Sequence, residues 1–357
     1  MLNYIDQLHP EIQAYFKILA PEFPKWLLEY IHTPAMKRLA GISMNCGTDY
    51  SKLFNINYFY STLDHSIGVA LIIWHFTHDK KQTLAGLFHD IATPAFKHCI
   101  DFMNDDALKQ ESTEAMTSDI IKNSSEIMTL LNRDQIKLSE VDNYHLYPIA
   151  DNDTPRLSAD RFEYTFSSGL AFLRIWDLNM IEQIYDNIII IKNEENQDEL
   201  AFMDWKLSEH YIQSSVELWK TWISDEDRTV MQFIADIVKS MINSQYLTID
   251  DLYSLSEIEI IDRILNCPDQ YLKESFRNFL HTTSIIKSNQ PIQDKYCISV
   301  VAKKRYITPL CIYHAQTLRI DKISPKTATL IKNYLNTKST RYTGFNFPFQ
   351  PYKELAK

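Results

Sequence analysis

A mainly α fold is predicted for this chain, with a small β-hairpin and a small mixed α/β C-terminal lobe. Three observations predict it. Only 6 glycines occur in 357 residues, so the Gly-rich phosphate loops of Rossmann and P-loop proteins are absent. Apolar residues recur at helical spacing through most of the chain. Two stretches differ, "NIIIIKNEENQDELAFMD" from Asn187 and "KYCISVVAKKRYITPLCIY" from Lys295. The first reads as two short strands around a polar turn, and the second is rich in β-branched and aromatic residues. The length exceeds what one core usually serves, so residues 1–186 are expected to form a helical core. Residues 187–357 then supply the hairpin, further helices and the lobe packed on that core.

Taken in order, Thr33 followed by Pro34 has the chemistry of an N-cap and a first helical position, which predicts a short helix over "PAMKRLAGI", closed by the polar stretch around Gly47. Thr62 is the expected cap of "LDHSIGVALIIWHFTH", where Leu63, Ile67, Ala70, Leu71 and Trp74 share a face and His65 falls in the first turn. After a turn at Asp79 and Lys80, "KQTLAGLFHDI" continues as helix until Pro94, which has no N–H to donate, so His89 and Asp90 lie near a helix C-terminus. Helices are expected at 113–122 and 124–131. Pro148 and Pro155 mark an irregular connection, after which Asp160 opens a helix. Beyond the hairpin, helices are predicted from Trp205 to about Trp222 and from Asp225 to Ile242, with Thr248 and Ser256 capping two more.

A hydrophobic fraction of 45% with 23% charged residues is ordinary for a globular protein. The formal net charge of -10 argues against a protein that coats nucleic acid, which needs clustered Lys and Arg. Cys46, Cys99, Cys267, Cys297 and Cys311 are odd in number and lack CxxC spacing, which fits free thiols in a reducing compartment. The polar start "MLNYIDQLHPEIQ" has no signal-peptide core, and no apolar run approaches the roughly 20 residues of a membrane helix. A cytoplasmic location is expected.

The chemistry concentrates in "GLFHDIATPAFKH", residues 86–98. Neighbouring helical positions diverge by about 100°, so His89 and Asp90 share an ion only if other helices fill its far side. His65 and Asp160 are placed to do so. Two imidazoles and two carboxylates with open positions suit one divalent ion, Mn, Fe, Ni, Zn or Mg, in a hydrolytic role.

The order of these motifs, "STLDHSIGVALI", "LAGLFHDIATPAFKH" and "SADRFEYTF", resembles the HD-domain phosphohydrolase superfamily. "TPAMKRLAGI" is similar to a segment of its deoxynucleoside triphosphate triphosphohydrolase branch, and "KYCISVVAKKRYITP" is faintly similar to a C-terminal piece of it. The resemblance implies an HD-type helical core with His65, His89, Asp90 and Asp160 as metal ligands, Asp90 and His98 in catalysis, and Arg161 and Tyr164 on phosphate. Where that branch has a His three positions after the Asp, this chain has Thr93. The branch's next His corresponds to Gln110, its Arg before the first ligand to Thr62, its Gln to Met44 or Asn45, and its sugar-reading Asp to Ser168. Thr93 and Gln110 are therefore expected to line an altered substrate pocket.

The resulting expectation is a metal-dependent phosphohydrolase acting on a nucleotide or related small phosphorylated molecule. The alternatives are a deoxynucleoside triphosphate triphosphohydrolase, a phosphomonoesterase or phosphodiesterase, and a non-catalytic nucleotide sensor. A homo-oligomer is expected from the resembled branch, with neither membrane nor nucleic acid as partner. Glu111 and Glu114 are weaker candidates for water activation. Lys303–Tyr306 is either a phosphate contact or a charged strand edge. His75, His78 and His145 are expected to be structural.

Overall fold

The computed structural model describes residues 4–109 and 116–351. Its first part is helical: α1 (Pro10–Leu19), α2 (Leu27–Ile31), α3 (Pro34–Lys37), α4 (Thr62–Thr77), α5 (Lys80–Phe88), α6 (His98–Met103), α7 (Thr117–Asn123), α8 (Ser125–Arg133), α9 (Ala159–Ala171) and α10 (Leu178–Tyr185). A hairpin, β1 (Ile188–Lys192) and β2 (Asp198–Phe202), leads into α11 (Trp205–Trp222), α12 (Asp225–Asn243), α13 (Ile249–Ser254), α14 (Glu257–Asn266) and α15 (Gln270–Leu280). The remainder comprises β3 (Ile286–Ser288), β4 (Tyr296–Ile298), β5 (Leu310–Tyr313), β6 (Gln316–Arg319), α16 (Ile320–Ile323), α17 (Pro325–Leu335) and β7 (Tyr342–Phe345). The mainly α expectation holds, and no described helix is long and apolar enough to cross a membrane.

The central element is α4, buried on all sides from Thr62 to Ile73, as befits a helix apolar around its whole circumference. Its cap is Ser61 rather than the expected Thr62. Ser61 Oγ accepts the Asp64 N–H, and Asp64 returns the bond to the Ser61 N–H, closing a capping box. His78 ends α4 in the left-handed region, and the Asp79 carboxylate then accepts the N–H groups of Lys81 and Gln82 to start α5. The two helices pack closely because residue 86 is glycine: a Cβ there would lie 2.2 Å from Ile73 Cδ1. That approach carries His89, at the end of α5, to His65, at the start of α4.

The hairpin is not an isolated unit. β2 pairs in parallel with β5, giving a four-stranded sheet of order β1-β2-β5-β6, while β3, β7 and β4 form a second sheet. The stretch expected to supply strands from Lys295 does so at β4 and β5. Residues 299–309 between them are irregular. Two hydrophobic cores interleave along the chain. One gathers α1, α4, α5, α9, α10 and α11 with Tyr334 of α17. The other joins Phe96, Cys99 and Ile100 to α12–α15 and to Tyr296, Phe345 and Phe349.

Candidate metal centre

His65, His89 and Asp160 meet where α4, the end of α5 and the start of α9 converge. His65 Nε2 lies 3.1 Å from His89 Nε2 and 3.1 Å from Asp160 Oδ1, and His89 Nε2 is 3.6 Å from the same oxygen. The far side of each ring is engaged. His65 Nδ1 bonds the Glu163 carboxylate, and His89 Nδ1 donates to the Gly86 carbonyl at 2.7 Å. With Nδ1 protonated in both rings, a tautomer assigned from these partners, both Nε2 lone pairs and Asp160 Oδ1 face one another as acceptors. Three acceptors in contact without a donor repel, and a cation among them removes the conflict. This donor set fits a divalent ion of the imidazole-favouring kind.

In the absence of an ion the same conflict is relieved by protons. Burial opposes charge on His65, but the Glu163 and Asp160 carboxylates outweigh it and push its pKa up to about 9. His89 is raised too, against burial, by Asp90 and Asp160. Asp160 is itself held well below the usual carboxylate range by the two imidazoles, which overcome its burial.

Glu163 is the support on which His65 rests. It is fully buried one helical turn after Asp160, accepts the Tyr60 hydroxyl at 2.6 Å and receives the Ser167 hydroxyl at 3.2 Å. Gly68 makes room for it, since a Cβ there would lie 2.7 Å from Glu163 Cγ. Carboxylates behind metal-bound imidazoles orient the ring and raise its basicity. Glu163→Gln is expected to weaken metal affinity by roughly 10- to 100-fold, measured by competition with a chromophoric chelator. Unchanged affinity would mean that His65 is oriented without Glu163.

Asp90, the fourth expected ligand, sits slightly apart. Its Oδ2 is 3.9 Å from His65 Nε2 and 3.8 Å from His89 Nε2 but only 2.7 Å from Lys97 Nζ. Its Oδ1 accepts the Thr93 hydroxyl at 2.9 Å. Lys97 overcomes the effect of burial and holds the Asp90 carboxyl far below the usual carboxylate range. Thr93 is thus a partner of Asp90 and is not among the described residues lining the cavity, contrary to expectation. The turn bearing Lys97 is fastened from two sides. Arg38 donates to the carbonyls of Ile91 and Thr93 at 3.1 and 2.7 Å, and Glu257 accepts the Phe96 N–H at 2.9 Å. Phe96 and Lys97 take φ of 65° and 44° there, a left-handed pair that persists only when its surroundings impose it.

The triad opens on a cavity of about 970 Å³. Lys97, His98, Arg161, Lys303, Lys304 and Arg305 all reach its wall, so the "AKKRY" run lines the cavity and is not a strand edge. His98 Nδ1 faces the buried Asp101 carboxylate at 3.0 Å, and its Nε2 accepts from Arg305 at 3.2 Å. Burial lowers its pKa. In this arrangement its Nε2 carries no proton, and His98 aims Arg305. Arg161 is pinned by the Asn152 side chain at 2.8 Å and by Asp151 at 3.1 Å. Tyr164 lies against Trp222 on the cavity wall, its hydroxyl pushed up to about 12 by burial. His145, expected to be structural, lines the same cavity and pairs with Asp151 at 3.3 Å. Gln110, Glu111 and Glu114 lie outside the described residues.

Sequence reasoning missed Lys97 and Glu163, and also Asp227 on the cavity wall. Glu163 was signalled by its position three residues after Asp160, which puts both on one helix face. Lys97 stood between Phe96 and His98 in the quoted motif. Asp227 gave no signal beyond the acidic first turn of α12.

No protein-family model matches the chain. An uncharacterized protein of Bacillus subtilis (strain 168), YdhJ, is 23% identical over 303 residues, which span 84% of this chain and 88% of that protein. A solved hypothetical protein from Aquifex aeolicus superposes with a TM-score of 0.59 at 16% identity, covering 89% of this chain and 90% of that one. A phosphohydrolase from Bacteroides thetaiotaomicron VPI-5482 gives 0.61 at 13% identity, covering 91% and 96%. The chain therefore shares its fold, over nearly its whole length, with these two solved proteins.

Proposed function

We propose that this protein is a metal-dependent phosphohydrolase of the HD type, acting on a nucleotide or related small phosphorylated molecule. One observation carries the reading: a triangle of hydrogen-bond acceptors, His65, His89 and Asp160, opens on a cavity whose wall bears Lys97, Arg161 and Arg305. Acceptors facing one another call for a cation, and clustered cations in a half-enclosed cavity call for an anion such as phosphate. The name of the Bacteroides structure agrees with this reading.

His65, His89 and Asp160 would hold the ion, with Asp90 completing the set. The ion supplies Lewis acidity for phosphoryl transfer to water. Lys97 and Arg305 balance the charge that develops on the phosphoryl oxygens, and His98, braced by Asp101, keeps Arg305 in place. Arg161 closes the wall from α9.

The test is a panel of nucleoside mono-, di- and triphosphates, cyclic nucleotides and sugar phosphates, each with Mn, Fe, Ni, Zn or Mg, assayed separately for phosphate, pyrophosphate and tripolyphosphate. The expected outcome is hydrolysis that chelation abolishes and one of the metals restores. Release of tripolyphosphate would identify the deoxynucleoside triphosphate triphosphohydrolase alternative. Ligand-induced thermal stabilisation without turnover under every metal would overturn catalysis in favour of a sensor.

A further inference from the structure

The first turn of α12 carries Asp225, Glu226 and Asp227, and their fates differ. Asp225 is bound by Arg228 and Thr340, and Glu226 meets Lys287 at 3.0 Å. Asp227 is 8% exposed and its carboxylate faces the cavity. Among the described residues it has neither a hydrogen-bond nor an ion-pair partner, and burial pushes its carboxyl up to about 8. Asp151, another buried carboxylate of the same wall, is held by Arg161 and His145. A buried carboxylate without a partner is costly to keep. A cavity-facing one is relieved when a ligand supplies the donor.

The chemistry of the wall narrows that ligand. A ligand that offers N–H donors favours the ionised form of Asp227, whose two oxygens accept them, whereas a phosphate offers no donor and repels that form. Phosphate already has Lys97, Arg161 and Arg305. Met231, one helical turn after Asp227, lines the same cavity, as do Met44 and Trp222. Soft and aromatic surfaces of this kind suit a flat ring better than a polyol. A carboxylate has two acceptor oxygens, which match two adjacent N–H donors.

We infer that Asp227 is a specificity-determining residue that accepts adjacent N–H donors from the nucleobase of a phosphorylated substrate, at a subsite formed with Met231 and Trp222. This rests on the phosphorylated-substrate reading above. It selects bases that offer a ring N–H beside an amino group, as guanine does, over those that offer fewer donors.

Binding in the presence of a chelator tests the inference without recourse to turnover. Guanosine, inosine and adenosine monophosphates, deoxyguanosine monophosphate and ribose 5-phosphate are titrated calorimetrically into the wild type, Asp227→Asn and Asp227→Ala. The wild type is expected to prefer guanosine over inosine and adenosine monophosphate. In both variants the ratio of guanosine monophosphate to ribose 5-phosphate affinity is expected to fall by roughly 10- to 100-fold, the worth of hydrogen bonds to a charged group. Asp227→Asn, which replaces the buried carboxyl at nearly constant shape, is expected to keep the unliganded melting temperature, so loss of selectivity is not loss of fold. A wild type without base preference, or a ratio unchanged in both variants, overturns the inference even if hydrolysis is found. Loss of ribose-over-deoxyribose discrimination in place of base discrimination overturns the N–H assignment. Retained base selectivity in a protein that hydrolyses nothing would sink the catalytic reading and leave this one standing.

Discussion

Replacing His65, His89 or Asp160 by alanine is expected to remove stoichiometric metal and to lower hydrolysis by about three orders of magnitude or more, since Lewis-acid stabilisation is worth several kcal/mol and each 1.36 kcal/mol is tenfold in rate. The geometry sets an order among the ligands. His65 and His89 each turn an Nε2 toward Asp160 Oδ1, which lies within 3.6 Å of both and closer than Asp90 Oδ2 does. Asp90 already gives one oxygen to Lys97 and the other to Thr93, so Asp90→Ala should cost less metal than the other three while still impairing turnover. Elemental analysis of each variant beside its rate separates the two quantities. Full metal content together with full activity in His89→Ala would refute the assignment.

Arg228→Ala is expected to destabilise the fold by about 3–5 kcal/mol, the range for breaking a buried ion pair. Arg228 is fully buried on α12. Its guanidinium donates to Asp225 at 2.8 and 3.1 Å, to the Val300 carbonyl at 2.7 Å and to the Thr340 carbonyl at 2.5 Å. Three parts of the chain are thereby fastened to one side chain, and residue 300 stands just before Lys303 and Arg305. Lysine should not rescue the loss, because a single ammonium cannot reproduce the planar fork. Denaturant titration measures the change. A loss under about 1 kcal/mol, ordinary for a surface site, would show that the clamp is redundant.

Much of this architecture was legible. The helix expected from Trp205 to about Trp222 is bounded by those residues, and Thr248 and Ser256 cap α13 and α14 through capping boxes. Such signals are local, since a cap reads only the next three residues. Ser61 was mistaken for Thr62 because both are good caps and only the return bond from Asp64 decides between them. The pairing of Ala201 with Leu310 was invisible for a different reason. A parallel partner more than a hundred residues away leaves no mark on either strand. At the site, His65, His89 and Asp160 were found from motif order, and the structure brings them together. Thr93 was misjudged because motif position says which residue is near, and only the fold says which way it faces. Lys303–Arg305 looked like a solvated edge, the usual fate of such a run, until residues 299–309 proved irregular and turned inward.

The interleaving of the two cores has a consequence for how such a site can change. The helices that carry the triad, α4, α5 and α9, belong to one core, while Phe96, Cys99 and the α12 face behind Asp227 and Met231 belong to the other. The triad and one side of the cavity wall, Asp227 and Met231, are therefore anchored in different packing units, while Met44, Trp222 and Tyr306 of the same wall pack on the first. Substitutions within the second unit are expected to reshape the Asp227 side of the cavity while leaving the packing around the triad in place. Drift on that side of the seam is a route by which the cavity's selectivity can change while the triad persists.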